Sequence, residues 1–352
     1  MKIHLLSGFL GSGKTTAILQ AARDLIQRSI KTGIVTNDQG TKLVDGSFFK
    51  SLDIPNREVV NGCFCCNYHD LDAGIVSLIE INGTEVIFAE SVGSCTDIVA
   101  TVVKPLLQYR PGAQVTVSVF ADARLLHIML SDGANSFDPA VQYIYLKQLE
   151  EAGIIVINKI DLISNDELSV IKDIMQKKYG NKILLYQNSL SGDSVAQWME
   201  VLDNYRSADA LPSLNINYDL YAAGEAKLAW VDQVLEIFSA DNNALQQAED
   251  LVNNIYAEVN MNGYPIGHLK FLINNAVKLS FTSAMDPAVT IKIEPAASAT
   301  VLINMRVQAA PEMLARLIEN TIKETALQSG CSITVSSVSA FQPGYPRPAY
   351  RM

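Results

Sequence analysis

The sequence predicts an α/β fold: a domain with a mainly parallel sheet, followed by a smaller α+β domain. Three observations support this prediction. Short apolar strands alternate with helical patterns over about the first 200 residues, which is typical of βαβ units. The segment GFLGSGKT, at 8–15, fits a phosphate-binding loop between a strand and a helix. Longer strand-like runs follow a small, polar stretch that contains a proline, at 207–213.

In the first domain, apolar runs predict six strands, most of them followed by a polar or Gly-bearing turn. The predicted strands are 2–6, 32–36, 86–89, 114–120, 154–157 and 183–186. The predicted helices are 14–28, 71–81, 95–108, 139–151, 166–178 and 193–202. Open parallel sheets bind ligands beyond the carboxyl ends of their strands, so polar residues at these ends are the candidates for a site.

The second domain is predicted at 214–340, after a first domain at 1–206 and a linker at 207–213. Strand-like runs occur at 226–238, 277–282, 300–307 and 332–340, and helical runs occur at 244–259 and 311–328. The order strand, helix, strand, strand, helix, strand is that of a ferredoxin-like α+β domain. Residues 341–352 hold three prolines and two arginines. We expect an extended tail there, either a plain surface tail or one that contacts a ligand or partner.

The composition is that of a globular protein with an acidic balance. The chain has 352 residues, 49% of them hydrophobic, and a net charge of −10. Nucleic acids and anionic membranes attract clustered Lys and Arg, which this chain lacks, so neither is an expected partner. Five cysteines, three of them within four positions, suggest thiols in a reducing compartment. No apolar run approaches the about 18 to 20 residues that span a bilayer, so we expect a cytoplasmic protein.

The phosphate loop is the most specific motif. Its glycines let successive N–H groups converge on phosphate oxygens, and the helix that follows adds the positive end of its dipole. Lys14 would reach the β- and γ-phosphates, and the Thr15 hydroxyl would bind Mg²⁺. The residues expected to contact the nucleotide here are Gly8, Gly11, Ser12, Gly13, Lys14, Thr15 and Thr16.

The tetrapeptide NKID predicts which base is bound. Asn158, Lys159 and Asp161 follow the apolar strand IIVI. A carboxylate that accepts hydrogen bonds from guanine N1 and N2 rejects adenine, which has no matching pair of donors. The predicted nucleotide is therefore GTP. Asn188 and Ser189, after the next strand, would form the second wall of the base site.

Acidic residues at other strand ends are candidates for Mg²⁺ and for catalysis. Glu90 ends a buried strand and could hold Mg²⁺ through water, while the Gly93 N–H could contact the γ-phosphate. Asp38 is a second candidate, as an Mg²⁺ ligand or as a group that orients water; alternatively, it caps a turn. Asp122 also ends a strand. The candidate catalytic residues are Lys14, Asp38 and Glu90.

A second site is predicted at NGCFCCN. Cys63, Cys65 and Cys66 are three soft thiols that could converge on one thiophilic ion such as Zn²⁺, Cu⁺ or Co²⁺. A closed structural zinc site has four ligands, and the fourth could be His69, Cys95 or none. Inert buried cysteines and redox cysteines are the alternatives. The cluster lies between the Asp38 and Glu90 segments, so metal binding and nucleotide state could be linked in both directions.

The motifs GFLGSGKTT, NGCFCC, ESVG and NKID, in this order, resemble those of the CobW-type P-loop GTPases, relatives of the UreG and HypB nickel chaperones. The resemblance covers about residues 1–205. It implies a P-loop GTPase domain that hydrolyses GTP slowly as a switch. It also implies that the cysteine motif binds a transition metal, zinc or cobalt, which the protein delivers to a client metalloenzyme.

Two other functions are compatible with these motifs. The protein could assemble or activate a cofactor-dependent enzyme, for example a corrinoid enzyme, without delivering metal. It could also be a zinc or redox sensor in which GTP only controls the choice of partner. The resemblance further suggests a homodimer whose formation depends on the nucleotide.

Overall fold

The computed structural model of the chain describes residues 1–39, 44–130, 137–205 and 211–352. The chain forms two compact units. The first contains Met1–Gln39, Asp53–Gly224 and Tyr345–Met352, and the second contains Gly40–Leu52 and Glu225–Gly344. These divisions differ from the predicted domains 1–206 and 214–340 in three ways: the first unit extends to Gly224, the segment Gly40–Leu52 belongs to the second unit, and Tyr345–Met352, from the predicted tail, belongs to the first. The predicted linker, 207–213, lies partly outside the described residues.

The first unit is built on a seven-stranded sheet in the order β3-β2-β4-β1-β5-β6-β7. All neighbouring strands run parallel, which confirms the predicted sheet. Strands β1, β2, β4 and β6 are buried nearly throughout, as is typical of a sheet covered on both faces. The strands are β1 (Lys2–Ser7), β2 (Thr32–Asn37), β3 (Asn56–Val59), β4 (Val86–Glu90), β5 (Gln114–Asp122), β6 (Ile154–Asn158) and β7 (Ile183–Gln187).

The helices of the first unit match the predicted ones within a few residues, apart from two that were not predicted, α5 and α9. The predicted helix 95–108 is a π-helical turn, Val99–Val103, that continues into α4, because Pro105 lacks the N–H that a continuous α-helix would need. The helices are α1 (Lys14–Gln27), α3 (Tyr68–Asn82), α4 (Lys104–Tyr109), α5 (Ala123–Leu130), α6 (Pro139–Glu151), α7 (Asn165–Tyr179), α8 (Gly192–Asn204) and α9 (Tyr218–Ala226).

The second unit is an antiparallel sheet with two long helices, which confirms the predicted α+β class. Its sheet order is β10-β9-β11-β8-β12, and the skeleton β8-α10-β9-β11-α11-β12 has ferredoxin-like order. The elements are β8 (Leu228–Phe238), α10 (Ala244–Met261), β9 (Ile266–Ile273), β10 (Val277–Phe281), β11 (Ser298–Gln308), α11 (Pro311–Ser329) and β12 (Ser332–Phe341).

One strand of this unit was assigned wrongly from the sequence. The run at 277–282 was predicted as the second strand of the motif, but that strand is β9, which was not predicted. The run at 277–282 is the edge strand β10, joined to β9 by a tight turn. The turn has three residues, of which Asn274 and Asn275 have positive φ, at 50° and 54°, and the Ala276 N–H donates to Ile273 O at 3.0 Å.

A further helix, α2 (Val44–Ser51), belongs to the second unit and was not predicted. Val44 packs with Leu272 and Leu302, and its N–H donates to Asn304 Oδ1 at 2.9 Å. The Asp45 carboxylate accepts hydrogen bonds from Lys270 and Lys278. Burial alone would raise the pKa of Asp45, but these two ammonium groups hold it well below its usual range.

None of the helices in the described ranges combines the length and apolarity that crossing a membrane would require.

Glu151, the last residue of α6, is a buried carboxyl group beneath the segment that follows β4. It accepts hydrogen bonds from Thr96 Oγ1 at 3.2 Å and from the Val99 N–H at 3.4 Å. Burial raises its pKa to about 8, and the nearby Asp97 carboxylate adds to this rise. The folded protein therefore keeps a proton here that the unfolded chain loses near pH 4.5.

This proton makes stability fall as the pH rises from about 4.5 to about 8, since the folded state binds more protons in that window. We expect Glu151→Gln to flatten this fall. The loss in free energy of unfolding between pH 5 and pH 8 should be about 1–3 kcal/mol smaller for Glu151→Gln than for wild type. Urea unfolding at the two pH values measures the difference. Glu150→Gln, at a more exposed carboxylate paired with Lys147, is the matched control. Parallel pH dependences for wild type and Glu151→Gln would contradict the assignment.

Candidate functional site

The phosphate loop runs from Gly8 to Gly13, between β1 and α1. Gly8 and Gly13 have φ of 120° and 90°, and a Cβ on either would collide, at 2.1 Å with Phe120 O and at 2.3 Å with Asn158 Nδ2. Gly11 also has positive φ, at 72°. Glycine is thus required by backbone angle and by space. Ser12 Oγ is buried and makes no hydrogen bond within the described residues, so a phosphate oxygen would suit it.

The side chains that follow the loop face the end of β4. Lys14 Nζ donates to Gly8 O at 2.7 Å and to Phe9 O at 3.2 Å, so the ammonium group lies over the loop. Thr15 Oγ1 donates to Glu90 Oε1 at 2.9 Å. This contact follows from the parallel pairing of β1 with β4, which sets Leu6 opposite Glu90. A hydroxyl and a carboxylate are oxygen ligands of the kind that Mg²⁺ prefers. Thr16 follows as the third residue of α1.

The segment after Glu90 approaches the phosphate loop closely. The Ser91 N–H donates to Leu6 O at 2.9 Å. A Cβ on Gly93 would lie 2.8 Å from both Leu10 N and Leu10 Cδ2, so only glycine fits at this position. The backbone of Gly93 is therefore in contact with the loop that would hold the phosphates.

Asn158 is hydrogen-bonded to two other predicted site residues, Ser12 and Ser189. Its Nδ2 donates to Ser12 O at 2.8 Å, and its Oδ1 accepts from the N–H of Ser189 at 3.0 Å and from the Ser189 Oγ at 2.8 Å. Asn158 is 1% exposed, so these bonds are inside the protein. The amide thus connects the phosphate loop with the loop after β7. Asn188 Oδ1 accepts from the Leu190 N–H at 2.9 Å and shapes that same loop.

Lys159 and Asp161 occupy the turn after β6. Lys159 has φ of 62°, and its Nζ donates to Asp122 Oδ2 at 2.8 Å. Asp122 also pairs with Arg124 at 3.0 Å. Burial would raise the pKa of Asp122, but the charges of Lys159 and Arg124 lower it overall. Asp122 is thus committed to an ion pair, while Asp161 is exposed in the short turn Ile160–Leu162.

The predicted thiol site is a tight turn between β3 and α3. The N–H groups of Cys66 and Asn67 both donate to Cys63 O, at 3.1 and 2.9 Å. The Sγ atoms of Cys63 and Cys66 lie 3.4 Å apart, and those of Cys65 and Cys66 lie 3.8 Å apart. Cys63 and Cys65 are buried, at 4% and 3% exposed, and Cys66 is half-buried. All three sulphur atoms lie within 4.8 Å of one another, so they could share one metal ion.

The thiols differ in acidity because they bond to one another. Hydrogen bonds from the thiols of Cys65, Cys66 and Cys95 hold the pKa of Cys63 well below its usual range. The same contacts raise the pKa of Cys65 well above its usual range, with burial adding to the rise. The site therefore favours one thiolate and neighbouring protonated thiols, and a soft cation that replaced those protons would find sulphur ligands already in place.

Asn37, the last residue of β2, fixes the position of this turn. Its Oδ1 accepts from the Phe64 N–H at 2.7 Å, and its Nδ2 donates to Gly62 O at 2.7 Å and to Val59 O at 3.0 Å. Asp38, a predicted Mg²⁺ ligand, is the next residue, and Thr36 pairs with Glu90 across the sheet. A role for Asn37 was not predicted from the sequence. Its position beside Asp38 and at a strand end was the available signal.

The two candidate fourth ligands differ in their surroundings. His69 is exposed, and its ring packs against those of Tyr68 and Tyr350 at 6.1 and 5.6 Å between centroids. It is not in the group of three thiols. Cys95 is 2% exposed and lies beside Cys63 and Cys65. Of the two, Cys95 is the one in contact with the cluster.

Comparisons with known proteins agree with these motifs. Residues 2–185 match the family described as "CobW/HypB/UreG, nucleotide-binding domain". The zinc chaperone CobW of Sinorhizobium sp is 28% identical over 202 residues, 51% of this chain and 56% of that protein. The zinc chaperone YeiR of Escherichia coli strain K12 is 25% identical over 190 residues, 53% of this chain and 54% of that protein. The chain thus spans about half the length of the curated relatives it matches.

Among solved structures, HypB from Helicobacter pylori in complex with nickel aligns with 61% of this chain and 91% of its own, at 16% identity and a TM-score of 0.43. The family match extends over more than half of the chain and includes the phosphate loop, the three cysteines and the NKID turn. The chain belongs to the CobW/HypB/UreG family of nucleotide-binding proteins.

Proposed function

We propose that this protein hydrolyses GTP and uses the nucleotide state to control the binding of a thiophilic ion, foremost Zn²⁺, on Cys63, Cys65 and Cys66. The ion is cargo that passes to a client protein. Two of its relatives are named zinc chaperones, which supports zinc rather than cobalt as the ion proposed here. A nucleotide-dependent homodimer belongs to the same proposal.

The observation that carries this proposal is the contact between Asn37 and the cysteine turn. Asn37 ends the strand that leads to Asp38, and its side chain holds both Gly62 and Phe64, on either side of Cys63. Movement of the Asp38 segment when the γ-phosphate is lost would therefore shift the cysteine turn and the positions of its thiols. This supports a linkage between the two sites, and any such linkage acts equally in both directions.

On the nucleotide side, each residue has a proposed task. Lys14 would neutralise the β- and γ-phosphates, and Thr15 with Glu90 would hold Mg²⁺. When bound, Mg²⁺ would supply positive charge that stabilises the negative charge on the phosphate oxygens while the γ-phosphoryl group is transferred to water. The Gly93 N–H would contact the γ-phosphate, and Asp38 would orient water or complete the Mg²⁺ site.

The guanine base would bind at the turn after β6 and the loop after β7. Asp161, in the exposed turn after β6, would accept two hydrogen bonds from guanine. Asn158 and Ser189 would support this site from behind, because their side chains already bond to each other and to the phosphate loop. Lys159 and Asn188 would form its walls.

The linkage predicts that metal affinity depends on the nucleotide. Reduced protein titrated with Co²⁺ or Zn²⁺ should show about a tenfold difference between the GDP form and a non-hydrolysable GTP analogue, which is about 1.4 kcal/mol of coupling. The thiolate-to-cobalt absorption band reports Co²⁺ binding. Cys65→Ser should weaken binding about tenfold or more, whereas Cys331→Ser, at a half-buried cysteine of the second unit, should leave it unchanged.

Other outcomes would favour another function. Tight binding that ignores the nucleotide would indicate a structural site and an enzyme-activating GTPase. Binding that follows the nucleotide, without transfer of the ion to an apo-client during hydrolysis, would indicate a sensor. Absence of binding by the fully reduced protein would point to redox cysteines.

The close approach of Gly93 to Leu10 predicts a second effect. Gly93→Ala should lower affinity for the GTP analogue by about tenfold with little change for GDP, because the added methyl pushes the segment away from the phosphate loop. Equilibrium binding of fluorescent nucleotides measures both affinities. Gly112→Ala is the matched control, since a Cβ there meets no atom within 4 Å. Equal losses for GTP analogue and GDP would show that Gly93 serves the fold rather than the γ-phosphate.

A further inference from the structure

Cys95 lies where the two proposed sites meet. It follows Glu90 by five positions, and its side chain is buried within hydrogen-bonding reach of the Cys63 and Cys65 thiols. Cysteine buried among other thiols offers a sulphur ligand that needs no solvent exposure to reach an ion. The sequence motif NGCFCCN does not include this residue, because it is 29 positions after Cys66.

The main chain around Cys95 is anchored to the nucleotide side. The Cys95 N–H donates to Val92 O at 3.1 Å. The buried Gln148 amide donates to both Gly93 O, at 3.0 Å, and Cys95 O, at 2.7 Å. Gly93 in turn contacts Leu10 of the phosphate loop. A displacement of Gly93 would thus carry Cys95 with it.

We propose that Cys95 is a fourth thiol ligand of the metal site, and that its approach sets whether the ion has three or four sulphur ligands. This inference rests on the proposed function, since it assumes that the cysteine turn binds the ion. The sulphur atoms of a tetrahedral zinc site with bonds of about 2.3 Å lie about 3.8 Å apart. The set within 4.8 Å contains Cys63, Cys65 and Cys66 without Cys95, so Cys95 must move closer to at least one of these thiols to complete the site.

Two coordination numbers would explain how one site both holds and releases an ion. Four thiolates make the closed tetrahedral arrangement of a structural zinc site, which keeps zinc tightly. Three thiolates leave an open position at which a ligand from a client could attack. Because Cys95 would move with Gly93, the bound nucleotide would determine whether the ion has three or four thiolate ligands.

The number of thiolates tests this inference. In the Co²⁺-loaded protein, Cys95→Ser should remove about a quarter of the thiolate-to-cobalt absorption and weaken Zn²⁺ binding about tenfold or more. Cys331→Ser should change neither. X-ray absorption at the zinc edge of the wild-type protein should count four sulphur neighbours in one nucleotide state and three in the other. This measurement needs no variant that could misfold.

The outcomes separate the inference from the function on which it rests. If Cys65→Ser abolishes binding while Cys95→Ser keeps the full band, and zinc has three sulphur neighbours in both nucleotide states, Cys95 is not a ligand and the three-thiol site stands. If neither variant affects metal binding, the proposed site itself is wrong.

A further segment of the first unit lies at the thiol site. Residues 345–352, which we name the strap, return from the second unit to the first and lie along the cysteine turn. The Arg347 N–H donates to Cys66 Sγ at 3.3 Å, and the Ala349 N–H donates to Cys65 O at 2.8 Å. The Met352 N–H donates to Ala100 O at 3.0 Å. The strap therefore covers Cys66, the most accessible of the three thiols.

The strap is fastened beside Cys95. Arg351 Nε donates to Asp97 Oδ2 at 2.8 Å, and the same carboxylate accepts from Tyr218 OH at 2.6 Å. Asp97 is 1% exposed, so the carboxylate of this ion pair is desolvated, while Arg351 remains partly exposed. The Tyr350 ring packs against those of Tyr68 and Tyr109, at 5.2 and 5.5 Å between centroids.

We infer that the strap is a gate that must lift before the ion enters or leaves the thiol site. Its fastening point, Asp97, lies two residues after Cys95 in the segment that follows Glu90. Movement of that segment would weaken the Arg351–Asp97 ion pair. The strap could then leave Cys66, to which the Arg347 N–H donates.

Exchange rates test the gate. Transfer of Zn²⁺ from loaded protein to an excess of a chromogenic chelator should be about tenfold faster for Arg351→Ala, and metal loading should speed up as well. Arg347→Ala is the matched control: it removes the same charge from an exposed side chain but keeps the N–H that reaches Cys66. Deletion of 345–352 should accelerate exchange at least as much. Rates within about twofold of wild type for both Arg351→Ala and the deletion would overturn the inference.

Discussion

Loops at the carboxyl edge of a parallel sheet have no strand partner, yet their buried N–H and C=O groups must still be hydrogen-bonded. In this protein three buried amide side chains meet that demand. Asn37 bonds the cysteine turn to β2, Asn158 bonds the phosphate loop to the loop after β7, and Gln148 bonds the segment after Glu90 to α6. These three side chains thus connect the cysteine turn, the phosphate loop, the loop after β7 and the segment after Glu90 to the elements beneath them.

An amide suits this task because it supplies a donor and an acceptor without a charge. A carboxylate at position 37 or 158 would repel phosphate, and an ammonium group would compete with Mg²⁺ for it. Asp122, a charged residue at the same edge, is instead paired with Lys159 and Arg124.

Much of the first unit was predictable because its signals are local. Six strands and six helices follow from apolar periodicity, and the phosphate loop follows from glycine spacing. Strand β3 was missed because its four residues, NREV, are mostly polar and gain their place only by pairing with β2. Strand β9 was missed because His268 and Lys270 interrupt its apolar run; Lys270 is there to meet Asp45, which is 225 positions away.

The candidate sites also combine local signals with distant contacts. The three cysteines and the phosphate loop are close in sequence and can be recognised from spacing. Asn37 and Gln148 act through partners tens of residues away, so no window of sequence contains them with those partners. Cys95 was a candidate ligand from the sequence, but its contact with the other thiols depends on the fold. Asp161, Lys159 and Asn188 remain predictions, as their proximity to a base depends on a ligand rather than on contacts within the chain.

The division of the chain into interleaved segments has a consequence for its evolution and its engineering. Helix α2 packs in the second unit, although residues on both sides of it belong to the first. A fragment that stopped before Glu225 would leave Asp45 without Lys270 and Lys278 and would expose Val44. The second unit is therefore not an appended module that recombination could exchange freely: any replacement has to bring its own partner for α2.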